Sequence, residues 1–479
     1  METHIRVLSD EERHKVHDTS LKILANTGVR VDSARGRALL KTAGADVSKN
    51  SHIVRFPRHL IEDALQQVPK KYSLGARRPG WSLTMNDGEC SLVADGAGVT
   101  VIDRDSGQYR PTTYQDWLEA TRLIDALDEI GVYWTMTQGP EGTGTIPEMV
   151  NFWQNLFRNF SKHVQEPITK LEYVPWFLEV LQVIFGDRET IRSTHPYSFL
   201  VCPQSPLVID KQYTDVYLEL IGWDIPAAIM PMPLMGGTAP GNKISTVVLG
   251  NCETLAMLTL AQAAEPGVPV IYAPVLAVIN PRTGLYSGGA IENAVMNTAA
   301  IEMARYYGLP SEGSGGGTDH YTPGIQAGYE RALTAIMPVL SWPDLFVGPG
   351  LLGSSMILSL EQLLIDIEIF RMNRQAHLGI NTAEDKWLDE VIERVGQAGN
   401  YLAERSTVQG IRSGGWLVER LGVHVPFNTW KDAGRPSLRD EARQEVDSIL
   451  AAYRPLPFSA EVERELERIL NKAKAAADG

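Results

Sequence analysis

The chain has 479 residues, a formal net charge of −14, and 44% hydrophobic against 21% charged residues, which is ordinary for a folded globular protein with one large core or two to three domains. An acidic chain with no lysine- or arginine-rich run excludes a nucleic-acid reader, and no apolar run reaches the roughly eighteen residues of a membrane span, since the greasiest stretch, 246–264, is broken by Gly250, Asn251, Cys252 and Glu253. Three scattered cysteines (Cys90, Cys202, Cys252) form no C-x-x-C pair, which argues against a disulfide framework or a structural zinc site, and the charged start METHIRVLSDEERHK lacks an apolar leader, so a cytoplasmic protein is expected.

In chain order, Ser9 with Glu12 three residues later forms a capping box for a helix that ends at Gly28. Shorter helices are expected at 33–43 and at 57–67. From Tyr72 to Arg110 short strands alternate with turns such as Asn86-Asp87-Gly88 and Asp105-Ser106-Gly107. Residues 1–110 therefore read as a mixed α+β accessory region. Thr113 then caps a helix to Leu127, and a strand–helix rhythm begins. Strands are expected at Gly131–Thr137, His163–Ile168, Tyr197–Cys202, Ala227–Met232, Val268–Ala273, Ser311–Gly315 and Asp344–Val347. Helices alternate with them near 147–160, 173–186, 210–222, 246–264, 289–307, 324–340 and 358–374. An eighth strand near His377–Ile380, followed by a helix from Glu384 to Val395, would close a (β/α)₈ TIM barrel over 111–396. An open doubly wound sheet of seven strands is the alternative. Residues 397–479 read as a C-terminal helical segment, with amphipathic helices at Lys431–Leu450 and Ser459–Lys474.

In a parallel barrel the chemistry sits in the loops that follow the strands. Three of these are rich in glycine: 231–241 with Gly236, Gly237 and Thr238; 314–323 with Gly316, Gly317 and Thr318; and 348–353 with Gly348 and Gly350. Glycine permits close backbone approach to a ligand, and three such loops at one rim suit a large flat partner. Gly348-x-Gly350-x-x-Gly353 also matches a dinucleotide fingerprint, but no second unit with a terminal acid follows it. The richest polar cluster is Asp319 and His320 with Gln326 and Glu330, the last two sharing a helix face, with Thr322 expected to cap that helix. An anionic site of this kind favours a cationic ligand, and Trp134 and Tyr272 are candidate aromatic walls for it. Glu253 reads as a paired structural acid, and Ser359 with Gln362 as a capping box. No metal-ligand motif and no G-x-S-x-G elbow is present.

The segments LANTGVRVDS (24–33), DGAGVTVIDRDSGQYRPTTYQDW (95–117), CPQSPL (202–207), PMPLMGGTAP (231–240), AEPGVPVIY (264–272), ARYYGLP (304–310), GGGTDHYTPGIQAGYE (315–330) and NTWKDAGRPSLRDEA (428–442) together resemble the trimethylamine methyltransferase family along nearly the whole chain. The resemblance implies a TIM barrel whose rim accepts a corrinoid protein. Only the twenty standard residues occur, so the chain resembles the branch without pyrrolysine, whose members demethylate quaternary amines such as glycine betaine.

Transfer of a methyl group from such an amine to the Co(I) of a separate corrinoid protein is therefore the expected activity. Asp319, His320 and Glu330 are the expected catalytic residues. Trp134, Gly236, Gly237, Thr238, Tyr272, Gly316, Gly317, Thr318 and Gln326 are the expected substrate contacts, and Gly348 and Gly350 the expected contacts to the cobalamin-type cofactor. That cofactor comes in trans, because the D-x-H-x-x-G pattern of a corrinoid carrier is absent. The expected partners are a small methylated amine, the cognate corrinoid protein and further copies of the chain. An NAD(P)-dependent oxidoreductase and a non-catalytic quaternary-amine binder are the alternatives.

Overall fold

The computed structural model describes residues 3–49, 51–137 and 144–478. Its centre is a closed parallel barrel. In chain order the strands are β1 (Ser91–Val93), β2 (Ile130–Tyr133), β3 (His163–Glu166), β4 (Tyr197–Val201), β5 (Ala227–Ile229), β6 (Val270–Tyr272), β7 (Glu312–Ser314) and β8 (Leu345–Val347). Seven pairings are continuous and parallel, and a parallel bridge between Tyr272 and Ser311 joins β6 to β7. Each strand is followed by its helix: α1 (Tyr114–Ala126), α2 (Ile146–Asn159), α3 (Val174–Phe185), α4 (Lys211–Leu220), α5 (Lys243–Ala264), α6 (Ile291–Tyr307), α7 (Ile325–Ser341) and α8 (Leu360–Leu378).

The eighth strand is not where the strand–helix rhythm put it. His377 lies in the last turn of α8, and Ile380 is exposed beyond that helix. The barrel is closed instead by Ser91–Val93, which pairs with β8 on one side and β2 on the other. The helix expected at Glu384–Val395 is reduced to Asp389–Val395, which buries no residue. Each strand expected from the sequence thus stands one place later in the barrel.

The remaining short strands of 72–111 have separate roles. Ser73–Leu74 and Leu83–Thr84 form a hairpin whose Leu74 and Met85 fill the amino end of the barrel beside Val93, Val132 and Ile271. Thr100–Ile102 and Tyr109–Pro111 pair above the barrel with Ile357–Leu358 from the loop after β8. The N-terminal helices Asp10–Asn26, Ala34–Thr42 and Arg58–Gln67 pack on α5. Covered on that side as well as by the barrel, α5 is apolar nearly all round and buries most of its length. Among the described residues it is the one helix long and apolar enough to cross a membrane, and it lies inside the protein. Two C-terminal helices clasp the barrel from outside, Leu438–Ala452 against α1 and α8 and Ala460–Asp478 against α2 and α3.

Candidate active site

Inside a barrel, alternate residues of each strand point to the lumen. Ala228, Met230, Ile271, Ala273, Leu345 and Val347 do so here and make an apolar column. Polar residues interrupt it, among them Glu312 and Gln165. Glu312 on β7 lies in register with Leu345, so it shares the inward face, and it is only 3% exposed. Gln165 on β3 is fully buried. Just past β2, the indole N–H of Trp134 donates to Gln165 Oε1 at 2.6 Å.

Neither carboxylate oxygen of Glu312 has a well-formed hydrogen bond, and neither has the amide nitrogen of Gln165. Burial raises the Glu312 carboxyl from the ordinary range to about 8, with the nearby Gln165 amide pulling it back only in part. A buried carboxylate left without a partner costs several kcal/mol in the ionised form, and native proteins keep such groups chiefly where a ligand supplies the missing charge. Solvent reaches this part of the lumen. Cys202, one residue past β4, is exposed, although burial, with smaller effects from Asp210 and Glu312, pushes its thiol up to about 12. Surface that is both open to solvent and surrounded by protein is the wall of a recess. Met232, two residues beyond its inward neighbour Met230 on the same strand end, is 41% exposed.

A second carboxylate stands at the rim. Asp95, two residues past β1, accepts from the Ser355 hydroxyl at 2.7 Å and from the Gly96 N–H at 3.0 Å. Burial raises it to about 7, against those hydrogen bonds and the charge of Arg331. The Tyr286 hydroxyl, from the loop after β6, is raised by burial and by the charges of Asp95 and Asp319.

Asp319 joins three loops. Its Oδ2 accepts from the Ser287 hydroxyl at 2.5 Å, and its Oδ1 accepts from the Gly289 N–H at 3.1 Å and from the Ser354 hydroxyl at 2.8 Å. Glu330 performs a similar task within the loop after β7. It accepts from the Thr318 hydroxyl at 2.6 Å, from the Asp319 N–H at 2.9 Å and, on its other oxygen, from the Gln326 amide at 2.9 Å. His320 Nδ1 meets the Thr322 carbonyl at 2.7 Å. Thr322 does not cap α7, which starts after Gly324 with no side-chain cap. The expected polar cluster is therefore brought together, but its carboxylates are engaged in holding loops.

The glycines have the same explanation. A Cβ at Gly317 would lie 2.5 Å from the Gly288 carbonyl oxygen, one at Gly348 would lie 1.8 Å from the Gly315 oxygen, and one at Gly350 would lie 2.2 Å from the Met136 methyl. Gly348 and Gly350 also carry φ values of 148° and 105°. Below them the buried Arg331 guanidinium donates to the Gly316 and Gly348 carbonyls and pairs with Asp366 at 2.6 Å, while Asp366 accepts from the Gly350 N–H. Gln362 donates its amide to Asp366 and does not complete the box at Ser359. The glycine fingerprint at 348–353 thus serves loop-to-loop packing. Replacing Gly348 by alanine is expected to cost about 3 kcal/mol or more of stability through this overlap, read as a lower denaturation midpoint; an unchanged midpoint would show that the two loops move apart at little cost.

Gly236 and Gly237 lie exposed at the tip of the loop after β5. The Thr238 hydroxyl accepts from the Leu234 N–H at 2.9 Å, next to the parallel pairing of Leu234–Met235 with Ala277–Val278. Trp134 faces the lumen beside Gln165. Tyr272 does not. Its neighbours Ile271 and Ala273 point inward, so it points outward, where its hydroxyl donates to Asn251 Oδ1 at 2.9 Å. Glu253 is a structural acid held by the Ser205 hydroxyl and the Leu207 N–H, which it uses to tie the loop after β4 to α5.

Three residues of the recess were missed by sequence reasoning: Glu312, Gln165 and Asp95. A signal existed for Glu312. A barrel strand is covered on both faces, so an acid within the stretch Ser311–Gly315 is an anomaly wherever it points.

A family model described as trimethylamine methyltransferase (MTTB) matches residues 2–477. Among curated relatives, the trimethylamine methyltransferase MttB of Desulfitobacterium hafniense (strain DSM 10664 / DCB-2) is 29% identical over 468 residues, covering 97% of this chain and 93% of the relative. MttB of Methanosarcina barkeri is 27% identical over 481 residues, covering 99% and 96%. A glycine betaine methyltransferase of Desulfitobacterium hafniense (strain Y51) is 27% identical over 469 residues, covering 97% and 96%. The crystal structure of the Methanosarcina barkeri monomethylamine methyltransferase shares the fold, with a TM-score of 0.51 at 14% identity over 98% of this chain and 88% of the other.

Proposed function

Because this chain belongs to the trimethylamine methyltransferase family, we propose that it transfers a methyl group from a quaternary amine to the Co(I) of a separate corrinoid protein. The observation that carries the quaternary-amine reading is Glu312, a buried lumen carboxylate near the Gln165 amide and Trp134 that has no ion-pair partner among the described residues. A permanent cation supplies the charge that Glu312 lacks. The Trp134 ring adds cation–π attraction worth roughly 0.5–2 kcal/mol.

The chemistry suits a site of this composition. In a quaternary ammonium the leaving group is already a neutral tertiary amine. As the new carbon–cobalt bond forms with the electron pair of Co(I), the carbon–nitrogen bond breaks and its pair stays on nitrogen. No proton has to be delivered to the leaving group. The protein's work is to hold the ammonium, keep one methyl pointing out of the recess and exclude water. The corrinoid reaches the carboxyl end of the barrel on its own carrier, and Gly236, Gly237 and Thr238 on the exposed loop are the candidates for meeting it.

The test is a mixture of this protein, a Co(I) corrinoid protein and a panel of quaternary amines. Methylated corrinoid should accumulate with at least one of them. No methylation with any amine, despite a partner competent with another methyltransferase, would reject the reading. Trp134→Leu should raise the KM for the amine about tenfold with a much smaller change in kcat, matching the loss of roughly 1.4 kcal/mol of cation attraction. A kcat loss at unchanged KM would place Trp134 elsewhere in the cycle.

A further inference from the structure

The electrostatics of the recess say more about the substrate than its onium group, and the point rests on the quaternary-amine reading above. The eight loops that follow the barrel strands contain four basic residues, Arg104, Arg110, Lys170 and Arg282. Arg104 is paired with Glu119 and Asp447 on the outer flank of α1. Arg110 is paired with Asp103 and Asp116. Lys170 lies near Glu172 and over the Tyr173 ring. Arg282 is exposed in a turn of the loop after β6, next to Pro281 and Thr283. The stretch 138–143, outside the described residues, reads QGPEGT and holds no lysine or arginine.

Against this, two carboxylates belong to the lumen and its rim. Glu312 has both oxygens buried, near the Gln165 amide but without a well-formed hydrogen bond among the described residues. Asp95 stands two residues past β1, on the inward alternation of Ser91 and Val93, and β1 is separated from β7 only by β8. The rest of the wall is apolar or weakly polar: Trp134, Leu200, Met230, Val275 and Val347. Such a surface attracts a cation and offers no counter-charge to an anionic tail. Once the bound ammonium has drawn Glu312 into its ionised form, a carboxylate tethered two atoms from that ammonium would sit beside a like charge in a setting of low dielectric.

We infer that the preferred substrate is a quaternary ammonium with an uncharged tail, an alcohol or alkyl substituent in place of a carboxylate, and that Glu312 and Asp95 make this choice by rejecting the zwitterion. Among the relatives, one is a glycine betaine methyltransferase; this chain departs from a betaine preference because Glu312 and Asp95 face its recess while Arg331, whose charge acts on Asp95, is already paired with Asp366.

The experiment is calorimetric titration of the full chain with choline, tetramethylammonium and glycine betaine, followed by methyl transfer to a Co(I) corrinoid protein with each. Choline or tetramethylammonium should bind at least tenfold more tightly than glycine betaine and turn over with the higher kcat/KM. In Glu312→Gln the advantage should shrink by at least threefold. Asp95→Asn serves the same comparison should the first variant not fold, and the wild-type ratio needs no variant. Glycine betaine bound as tightly as choline, or more tightly, would overturn the inference while leaving the quaternary-amine reading intact. Failure of all three to bind or react would remove both. Betaine binding lost specifically in Arg282→Ala would also overturn the inference, by identifying a carboxylate receptor.

Discussion

Replacing Glu312 by glutamine is expected to weaken use of the quaternary amine while making the protein more stable. The two effects have one cause. Above its ordinary range near 4.5 and up to about 8, the folded chain holds a proton on Glu312 that the unfolded chain has released. Stability therefore falls as pH rises across that window and has lost the full amount above it. Glutamine carries no such cost, so its advantage should be small at pH 5 and largest at pH 8 to 9, on the order of a few kcal/mol. In a chain of this size that corresponds to a rise in Tm of about 2–5 °C.

Substrate binding runs the other way. A fixed cation binds the ionised form, so KM for the amine should fall as pH rises from 6 to 8 and flatten above. In the glutamine variant KM should be raised by at least about thirtyfold, in line with the loss of a desolvated charge pair, and it should no longer respond to pH in that window. A variant that is less stable at pH 8, or that keeps the wild-type KM profile, would show that Glu312 is a structural acid with a partner of its own.

Asp319→Ala should lower kcat/KM by about a hundredfold or more and lower Tm by only a few degrees. The carboxylate ties the loops that carry Ser287, Gly289 and Ser354, and hydrogen bonds to a charged acceptor contribute about 1.5–3 kcal/mol each. These loops lie at the carboxyl end of the barrel, outside its packed strands. Their release raises local opening far more than global unfolding, yet it spoils the surface that must meet both amine and corrinoid, where misplacement by about 1 Å costs about a hundredfold. Limited proteolysis within 280–290 or 350–356 should quicken in the variant. Asp319→Asn retains an acceptor and should recover most of the activity. An asparagine variant as inactive as alanine would mean that the charge itself is required, and an alanine variant with wild-type kcat/KM would remove Asp319 from the site.

Much of the barrel was legible because its units repeat. Seven strand–helix pairs announce themselves by short strands alternating with long helices, and Thr113, Ser9 and Ser359 cap where expected. The closing strand was not legible. Ser91–Val93 has three residues, lies between turn-rich segments and is separated from its helix by a hairpin, so it reads as one more fragment of the N-terminal region. His377–Ile380 offered itself only because the count was one short.

The candidate site divides in the same way. Asp319, Glu330 and the glycines stood out as polar or flexible residues in loops, which is what local sequence exposes. The use of Asp319 and Glu330 in tying loop to loop depends on partners 11 to 35 residues away, which composition does not show. Tyr272 and Trp134 are both aromatics on strands, and only the inward or outward turn of each separates a lumen residue from a wall residue.

Local sequence by itself determined the alternation of strand and helix and seven of the eight units, because periodicity and capping are properties of neighbours along the chain, and its motifs carried the resemblance to a methyltransferase family. The tertiary structure alone decided which strand seals the ring, that Asp319 fastens loops, and that Glu312 faces Gln165 across the lumen. Those facts depend on closure, which sets residues far apart in the chain against one another in a space from which water is largely excluded.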